Sequence, residues 1–196
     1  MKILCILLLV VYELLFVNKV QKEEINNNFI ENCVISDDIN ENMAEQFLNG
    51  DITVDNNGDK NNLTLSEIGY FGTPAKYALV DLDEDGAREL VSSFEPSGDR
   101  VIVDITDGIS TAYYLPIRWC NDIKKDGTAG WSSSAFISGI RKISFSDGQV
   151  ELEDIIVYNT YEGIFKVNGK DVSEEECSRA LALQQEKESV EWIDIE

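Results

Sequence analysis

Asp-Gly and Asn-Gly dipeptides recur along this chain and constrain its fold more than any other sequence feature. Both dipeptides tolerate positive φ at the two central turn positions, which makes them the strongest short-range signal for a β-hairpin. The sequence therefore predicts an antiparallel meander of strands joined by tight turns. The dipeptides follow one another at intervals of about twenty residues: Asp85-Gly86, Asp107-Gly108, Asp126-Gly127, Asp147-Gly148 and Asn168-Gly169.

Runs rich in β-branched and aromatic residues separate these turns and supply the predicted strands. Within one run, Val101 and Val103 alternate with Ile102 and Asp104, so one face of that strand is expected to be more apolar than the other. Apart from the turns, the runs share no side-chain pattern, which argues against a multi-blade propeller. The runs cover residues 76–80, 90–94, 100–105, 109–115, 135–140, 141–145, 149–158 and 163–167.

Two helices are predicted, one on each side of the strands. Residues 43–48 form a short amphipathic helix that ends at Asn49-Gly50. Ser173 and Glu176 form a capping box at the start of a second helix, which runs to about Gln185. The predicted fold class is therefore α+β and mostly β, an antiparallel meander with a short N-terminal helix and a C-terminal helix. The stripe of the second helix expected to dock on the sheet consists of Cys177, Ala180, Leu181 and Gln184.

The N-terminal segment differs from the rest of the chain. Lys2 precedes an apolar stretch over residues 3–17 that only Glu13 interrupts. A basic residue before an apolar run of about 10–15 residues is typical of an export signal, and the run is short for a spanning helix of roughly 20 apolar residues. We predict an extracellular or cell-surface protein, with cleavage or retention of the segment left open. The predicted organisation is a signal peptide or signal anchor at 1–20, a polar linker at 21–38 and a β-rich calcium-loop domain at 39–196.

Charge and the lack of histidine exclude several function classes. The chain has 16 Lys and Arg against 37 Asp and Glu, a formal net charge of −21, and no histidine. Nucleophilic catalysis with a histidine base, HExxH zinc peptidase chemistry and imidazole acid–base catalysis are excluded. A surface this negative repels phosphate, so nucleic acid is not expected as a partner. Membrane contact is expected only through the N-terminal segment, and the domain is expected to be a monomer.

One acidic loop carries the clearest chemical signal. Aspartates at alternating positions followed by glycine direct hard oxygen ligands to one point, and Ca²⁺ takes six to eight oxygens at about 2.3–2.6 Å. Without a cation, carboxylates this close would repel one another and raise each other's pKa. The sequence therefore predicts a calcium site. Its ligands would be the carboxylates of Asp81, Asp83, Asp85 and Glu89 and the backbone carbonyl of Ala87.

The calcium loop is not expected to be an EF-hand. A helix–loop–helix site needs a bidentate glutamate at its twelfth position, which here is Ser92. Because the sequences on both sides of the loop are predicted strands, a calcium site in a strand–loop–strand motif fits better. An acidic surface hairpin without metal remains the alternative. The tract with Asp55, Asn57 and Asp59 is a poor second candidate, since Gly58 falls in the wrong place.

Two stretches resemble known proteins. Residues 81–90 resemble the DxDxDGxxEL element of integrin-alpha-like (FG-GAP or VCBS) repeats in bacterial surface proteins. The order of features, including residues 167–176, is similar to small exported clostridial-type proteins of uncharacterised function that carry one such element. The resemblance implies a calcium loop and a surface location, and it implies no activity. Full propellers repeat the element several times, whereas this chain has it once.

Three cysteines follow the N-terminal segment: Cys33, Cys120 and Cys177. No CxxC spacing suggests zinc. In an exported protein one disulfide can form, and Cys120 with Cys177 is the predicted pair, with three unpaired buried cysteines as the open alternative.

Two functional hypotheses from different classes follow. The first is a non-enzymatic, calcium-binding module outside the cytoplasm that binds an unknown surface protein or glycan, or has a structural role. The second is a carbohydrate-binding accessory module or a histidine-free polysaccharide hydrolase, since two carboxylates suffice for glycoside hydrolysis. Aromatic residues in β-rich segments belong more often to the core than to a sugar platform. The aromatic residues in question are Tyr113, Tyr114, Trp119 and Trp131.

Overall fold

The structure, a computed structural model, describes residues 37–56, 59–68, 72–146 and 149–195. The predicted signal or anchor, Cys33, Asn57 and the Asp147-Gly148 turn lie outside these residues. The described part begins with Asp37, whose carboxylate accepts a hydrogen bond from the amide of Gly108 at 3.3 Å. No helix within the described ranges is both long enough and apolar enough to cross a membrane.

Strands dominate the described residues, which confirms the mostly β fold class with a helix near each end of the domain. The helices are α1 (Glu41–Asn49), α2 (Leu65–Ile68) and α3 (Glu174–Gln185). The strands are β1 (Val54–Asn56), β2 (Asp59–Leu63), β3 (Gly72–Val80), β4 (Glu89–Pro96), β5 (Arg100–Thr106), β6 (Ile109–Leu115), β7 (Thr128–Ser132), β8 (Ile137–Ser146), β9 (Gln149–Asn159), β10 (Ile164–Val167), β11 (Lys170–Asp171) and β12 (Ile193–Asp194).

These strands form two largely antiparallel sheets. The first has the order β12-β3-β4-β5-β6-β1-β2 and the second the order β11-β10-β9-β8-β7. Strands β3 to β6 and strands β7 to β11 each follow chain order, as expected for a meander. Strand β1 pairs with β6 in parallel. The predicted single meander is therefore divided between two sheets, and the connection from β6 to β7 carries the chain from one to the other.

The turn predictions hold at several Asp-Gly and Asn-Gly positions. Asp107-Gly108 joins β5 to β6, Asn168-Gly169 joins β10 to β11, and both residues of each pair have positive φ. At Asp126-Gly127 the chain also reverses direction, since the Gly127 amide donates to the Lys124 carbonyl at 3.0 Å and Asn121 forms an antiparallel bridge with Gly130. Gly127 has φ +71°, and a Cβ at this position would overlap the carbonyl oxygen of Leu82. That glycine is therefore required by close packing as well as by the turn.

Core residues cover both faces of the first sheet. One face packs against α1 and α2 through residues such as Phe47, Leu65 and Val103. The opposite face packs against the second sheet, with Ile102 and Ile143 in that interface. Residues on both faces of β5 are buried, because this central strand has a packed layer on each side.

Both helix boundaries follow the local signals in the sequence. Gly50 ends α1 with φ +79°, and its amide donates to carbonyls of the last turn. At the start of α3, the Glu176 amide donates to Ser173 Oγ at 3.2 Å and the Ser173 amide donates to Glu176 Oε2 at 2.9 Å. Of the predicted docking stripe, Cys177 and Gln184 are buried. The capping box and the docked face are thus confirmed.

The predicted disulfide between Cys120 and Cys177 is wrong, because both are free thiols. Cys120 belongs to the core between the two sheets, where burial raises the pKa of its thiol to about 12. Cys177 lies on α3, which contacts β9 and β10. The two thiols are therefore held in different packing regions of the domain.

Candidate metal centre

The loop over residues 81–88 connects β3 to β4 and is folded by its own carboxylates. Asp81 Oδ2 accepts a hydrogen bond from the amide of Gly86 at 3.1 Å. Asp83 Oδ1 accepts from the amide of Asp85 at 3.3 Å, and Asp85 Oδ1 accepts from that of Ala87 at 2.7 Å. Such bonds between an Asp side chain and the amide two residues on are a common way of forming turns. Gly86, with φ +95°, allows the chain to reverse direction.

Three of the predicted ligands come together in this loop. Asp81, Asp83 and Glu89 each contribute one carboxylate oxygen to a group whose members lie within 4.8 Å of one another. Asp81 and Asp83 are half-buried and Glu89 is buried. Asp81 Oδ1 is buried and has no hydrogen-bond partner in the described part of the chain. This cluster could hold a metal ion.

Glu89 is the most strongly perturbed of these carboxyls. Glu89 is the first residue of β4 and is 2% exposed. Its Oε2 accepts a hydrogen bond from the amide of Leu82 at 2.7 Å. Burial is the main cause that raises the pKa of Glu89 to about 8, a value that includes smaller contributions from the charges of Asp83, Asp104 and Asp85 and the opposing Leu82 hydrogen bond. Metal-free Glu89 therefore keeps its proton near neutral pH, and a cation would have to displace it.

Asp104 is a buried acidic neighbour that sequence reasoning did not select. Leu90 pairs with Val103 across β4 and β5, and the next pair in the same register is Glu89 with Asp104. Asp104 is 7% exposed, and its Oδ2 accepts from Thr106 Oγ1 at 2.7 Å. Burial raises the pKa of Asp104, with smaller contributions from nearby aspartates of the loop. The strand register reveals this neighbour, but the sequence predicts no pairing of these two residues.

The remaining predicted ligands are not part of the three-residue cluster. The Asp85 side chain is exposed and accepts the Ala87 amide, so its carboxylate shapes the loop. A role for the Ala87 carbonyl as a ligand stays a prediction. In the second candidate tract, Asp55 lies on β1 and Asp59 on β2. Asp55 belongs to no acidic group of this kind among the described residues.

The second sheet holds the acidic loop in place. Lys142 Nζ, on β8, donates to the Leu82 carbonyl at 2.9 Å and also to the carbonyl of Asp126. It lies 3.5 Å from Glu84 Oε1, which adds a weak ion pair. Gly127 packs directly on the same Leu82 carbonyl. The backbone between Asp81 and Asp83 is thus fixed by contacts from another sheet.

A bidentate ion pair fastens the other end of the loop. Arg88 Nε donates to Asp38 Oδ1 at 2.7 Å, and a terminal guanidinium nitrogen donates to Asp38 Oδ2 at 2.8 Å. The hydrogen bonds from Arg88 hold the pKa of Asp38 below its ordinary value. The Ile39 amide also donates to the Arg88 carbonyl at 3.0 Å. The segment before α1 is therefore bound to the end of the loop.

A cleft of about 620 Å³ opens beside the cluster, with Asp81 on its wall and Val190 on its apolar side. Lys125, also on the wall, donates to Glu188 Oε1 at 2.7 Å and to Glu191 Oε1 at 2.8 Å. These paired charges brace the C-terminal segment across the cleft. Because Asp81 belongs to both the cleft and the cluster, the cleft gives a cation a route to the carboxylates.

The four candidate aromatic residues do not form one surface. Tyr113 is buried and packs on Phe145 with ring centroids 5.4 Å apart. Tyr114 donates its hydroxyl to Asp99 at 2.6 Å. The Trp131 ring lies beneath the Arg141 guanidinium, 4.7 Å away. The fourth residue, Trp119, is exposed.

In comparisons with protein-family models, curated protein sequences and solved structures, the chain shows no significant match. The resemblance of the loop to integrin-alpha-like repeats stays a prediction. The chemistry of the site itself therefore carries the functional proposal.

Proposed function

We propose that the domain is a non-enzymatic, calcium-binding module that acts outside the cytoplasm, where the bound ion stabilises a surface used for binding or envelope structure. The observation that carries this proposal is the convergence of Asp81, Asp83 and Glu89, where one buried carboxylate oxygen of Asp81 has no hydrogen-bond partner among the described residues. Export and surface location rest on the basic and apolar N-terminal sequence.

A cation resolves the electrostatic conflict in this cluster. Burial of a charged carboxylate is costly unless it is paired, and nearby like charges add to the cost. Glu89 is buried beside Asp83 and Asp104, with no basic side chain among the causes that shift its pKa. A divalent ion would offset these charges and supply the missing partner for Asp81 Oδ1.

The donor set favours Ca²⁺ over the other common divalent cations. All the available side-chain donors are carboxylate oxygens, which are hard ligands that suit Ca²⁺, Mg²⁺ and Mn²⁺. Mg²⁺ demands near-ideal octahedral geometry and usually binds through one or two carboxylates, whereas Ca²⁺ accepts six to eight oxygens in a flexible shell. Three clustered carboxylates in a glycine-containing loop fit calcium better.

Calcium would act here through linkage to folding. The cluster spans β3, the loop and β4, and the loop is held by groups from the second sheet, so an unfolded chain would not present it. Extracellular modules bind calcium with Kd of about 0.1–1 mM. At 10 mM calcium, such affinities stabilise a fold by about 1.4–2.7 kcal/mol. For a domain of this size, that corresponds to a rise in Tm of roughly 3–10 °C.

The test compares the Tm of the protein in EDTA, in calcium chloride and in magnesium chloride. The variant Asp83→Asn removes one cluster charge while keeping the shape of the side chain. We expect a calcium-dependent rise in Tm for the wild type, a much smaller rise with magnesium, and no calcium response in Asp83→Asn.

Asp107→Asn is the matched control, because Asp107 is exposed in another Asp-Gly turn and Asn tolerates the same positive φ. This variant should keep the full calcium response. A wild-type Tm that is the same in EDTA and in calcium would contradict the proposal, as would an unchanged calcium response in Asp83→Asn.

A further inference from the structure

Two aromatic rings project from one end of the second sheet, where β8 begins and β9 ends. Phe136 is 55% exposed and Tyr161 is 80% exposed. Their ring centroids are 5.9 Å apart with planes inclined by 48°. The Thr160 amide donates to the Phe136 carbonyl at 3.0 Å and ties the two turns together. Large rings exposed side by side are unusual away from binding sites.

A small polar cavity lies next to these rings. Its volume is about 270 Å³, and it lies between β7–β9 and the last turns of α3. Its lining is mainly uncharged and rich in hydrogen-bonding groups, including the side chains of Asn121, Ser132, Ser138, Tyr158 and Gln185. Such a lining suits a ligand that carries hydroxyl groups.

Strand register joins the cavity to the rings. Ser132 pairs with Ser138 across β7 and β8, and Ser138 pairs with Tyr158 across β8 and β9. These three residues form one row across the sheet. The next pair toward the strand ends is Ile137 with Asn159. Phe136 directly precedes this pair, and Tyr161 follows it after Thr160. The cavity and the rings therefore lie at neighbouring positions along β8 and β9.

The hydroxyl groups in this row are available for a ligand. Those of Ser132, Ser138 and Tyr158 have no hydrogen-bond partner among the residues that the structure describes. Each hydroxyl can both donate and accept, as can the groups of a sugar. By contrast, Gln184 in the same lining is already used, since it donates to Thr128 Oγ1.

We propose that this surface binds a neutral polysaccharide, with a sugar unit in the polar cavity and a neighbouring unit stacked on Phe136 and Tyr161. Aromatic rings pack on apolar faces of ligands while a polar edge stays hydrated, and hydroxyl and amide groups in the cavity would hold the sugar hydroxyls. The net charge of −21 disfavours anionic glycans, anionic lipid and nucleic acid. The cavity is close to the lower limit of ligand pockets, about 300 Å³, which suits a single sugar unit.

This binding surface shares no residue with the metal cluster. The inference therefore goes beyond calcium binding and does not depend on it. Carbohydrate binding and calcium binding can be tested separately by keeping calcium chloride in every glycan measurement.

The experiment is affinity electrophoresis of the domain in native gels containing hydroxyethylcellulose, xylan or galactomannan. We expect at least one of these neutral polysaccharides to retard the protein. The double variant Phe136→Ala with Tyr161→Ala should bind that polysaccharide at least tenfold more weakly. Both side chains are exposed, so the fold should survive, which circular dichroism and Tm measurements check.

Ile109→Ala is the matched control, since Ile109 is an equally exposed apolar residue on the first sheet. It should bind as the wild type does. Ser138→Ala tests the cavity by removing the hydroxyl group and should also weaken retardation at least tenfold.

Three results would overturn the proposal. The first is no retardation in any of the three gels together with no neutral oligosaccharide bound on a glycan array. The second is retardation that is equal in the wild type and in the double ring variant. The third is self-association of the wild type that the ring variant loses while no glycan binds, which would make the rings an interface between two copies of the chain.

Discussion

Two Asp-Gly turns in the first sheet have the same dipeptide and different roles. Asp107-Gly108 closes a two-residue hairpin between β5 and β6, with both residues at positive φ. Asp85-Gly86 lies in an eight-residue loop between β3 and β4, where only the glycine of the dipeptide has positive φ. The Asp107-Gly108 turn only joins two strands, whereas the Asp85-Gly86 turn belongs to a loop whose carboxylates lie close together.

The surrounding residues explain this difference. In the acidic loop, the carboxylates of Asp81 and Asp83 accept hydrogen bonds from backbone amides of the same loop, and Glu89 is buried at its end. At the β5–β6 turn, Asp107 itself is exposed. A dipeptide therefore specifies that the chain reverses, while the acidic residues around it determine whether the loop has a cluster that could hold a metal ion.

The largest expected effect comes from a substitution that disturbs the contact between the acidic loop, residues 81–88, and the glycine that supports it. Gly127→Ala would place a Cβ against the Leu82 carbonyl at a position with φ +71°. Overpacking and the left-handed backbone together should cost about 3–5 kcal/mol of unfolding free energy. Urea denaturation in EDTA measures this loss.

Gly86→Ala is the matched comparison, because nothing lies within 4 Å of a Cβ built there although φ is +95°. The unfolding free energy of this variant should fall only by the cost of backbone strain, about 1–2 kcal/mol. Equal costs for the two alanine variants would show that packing on Leu82 does not support the loop.

A smaller effect is expected at Glu89, and it depends on pH. Because burial raises the pKa of this group to about 8 from an ordinary 4.5, the folded state binds more protons than the unfolded state between these values. The unfolding free energy of the metal-free protein should therefore fall as pH rises from 4.5 to 8. Glu89→Gln, which cannot ionise, should be more stable than the wild type at pH 8 by more than about 1.4 kcal/mol, the equivalent of one pKa unit.

The measurement is urea denaturation of the wild type and Glu89→Gln in EDTA at pH 5 and pH 8, which gives the difference between their unfolding free energies at each pH. The stabilisation of the wild type by calcium should increase over the same range, because the ion must displace the Glu89 proton. A difference between the two proteins that does not change with pH would show that Glu89 is not buried as a carboxylic acid.

The smallest expected effect concerns the ion pair at the end of the loop. Asp38→Asn removes the bidentate partner of Arg88, and both side chains are partly exposed. Partly exposed pairs contribute about 0.5–1 kcal/mol. Because Arg88 lowers the pKa of Asp38, this contribution is present above the ordinary pKa and is lost as pH falls through the lowered value. Urea denaturation at pH 7 and pH 3 should therefore show a cost that is smaller at pH 3 than at pH 7.

Features set by local interactions could be predicted from the sequence. The turn at Asp107-Gly108, the capping box of Ser173 and Glu176 and the end of α1 at Gly50 each depend on residues within one turn of the chain. The convergence of Asp81, Asp83 and Glu89 is also local, because a short loop contains all three.

Features set by contacts between distant segments could not be predicted. The turn at Gly127 is predicted by its dipeptide, but the packing that requires a glycine there comes from Leu82, a residue of the β3–β4 loop. Asp104 alternates with apolar residues in the sequence of β5, and only the register of β4 with β5 brings it opposite Glu89. The same applies to Cys120, whose packing between the two sheets follows from the division of the meander.

The central claim is that the acidic loop binds one calcium ion. Equilibrium dialysis against calcium chloride, with the protein-bound calcium measured directly, tests it without reference to stability. We expect saturation at one ion per chain with Kd of about 0.1–1 mM for the wild type and for Asp107→Asn, and no saturable binding for Asp83→Asn. No saturable binding by the wild type up to roughly ten times the upper end of that Kd range, or equal binding by wild type and Asp83→Asn, would contradict the account.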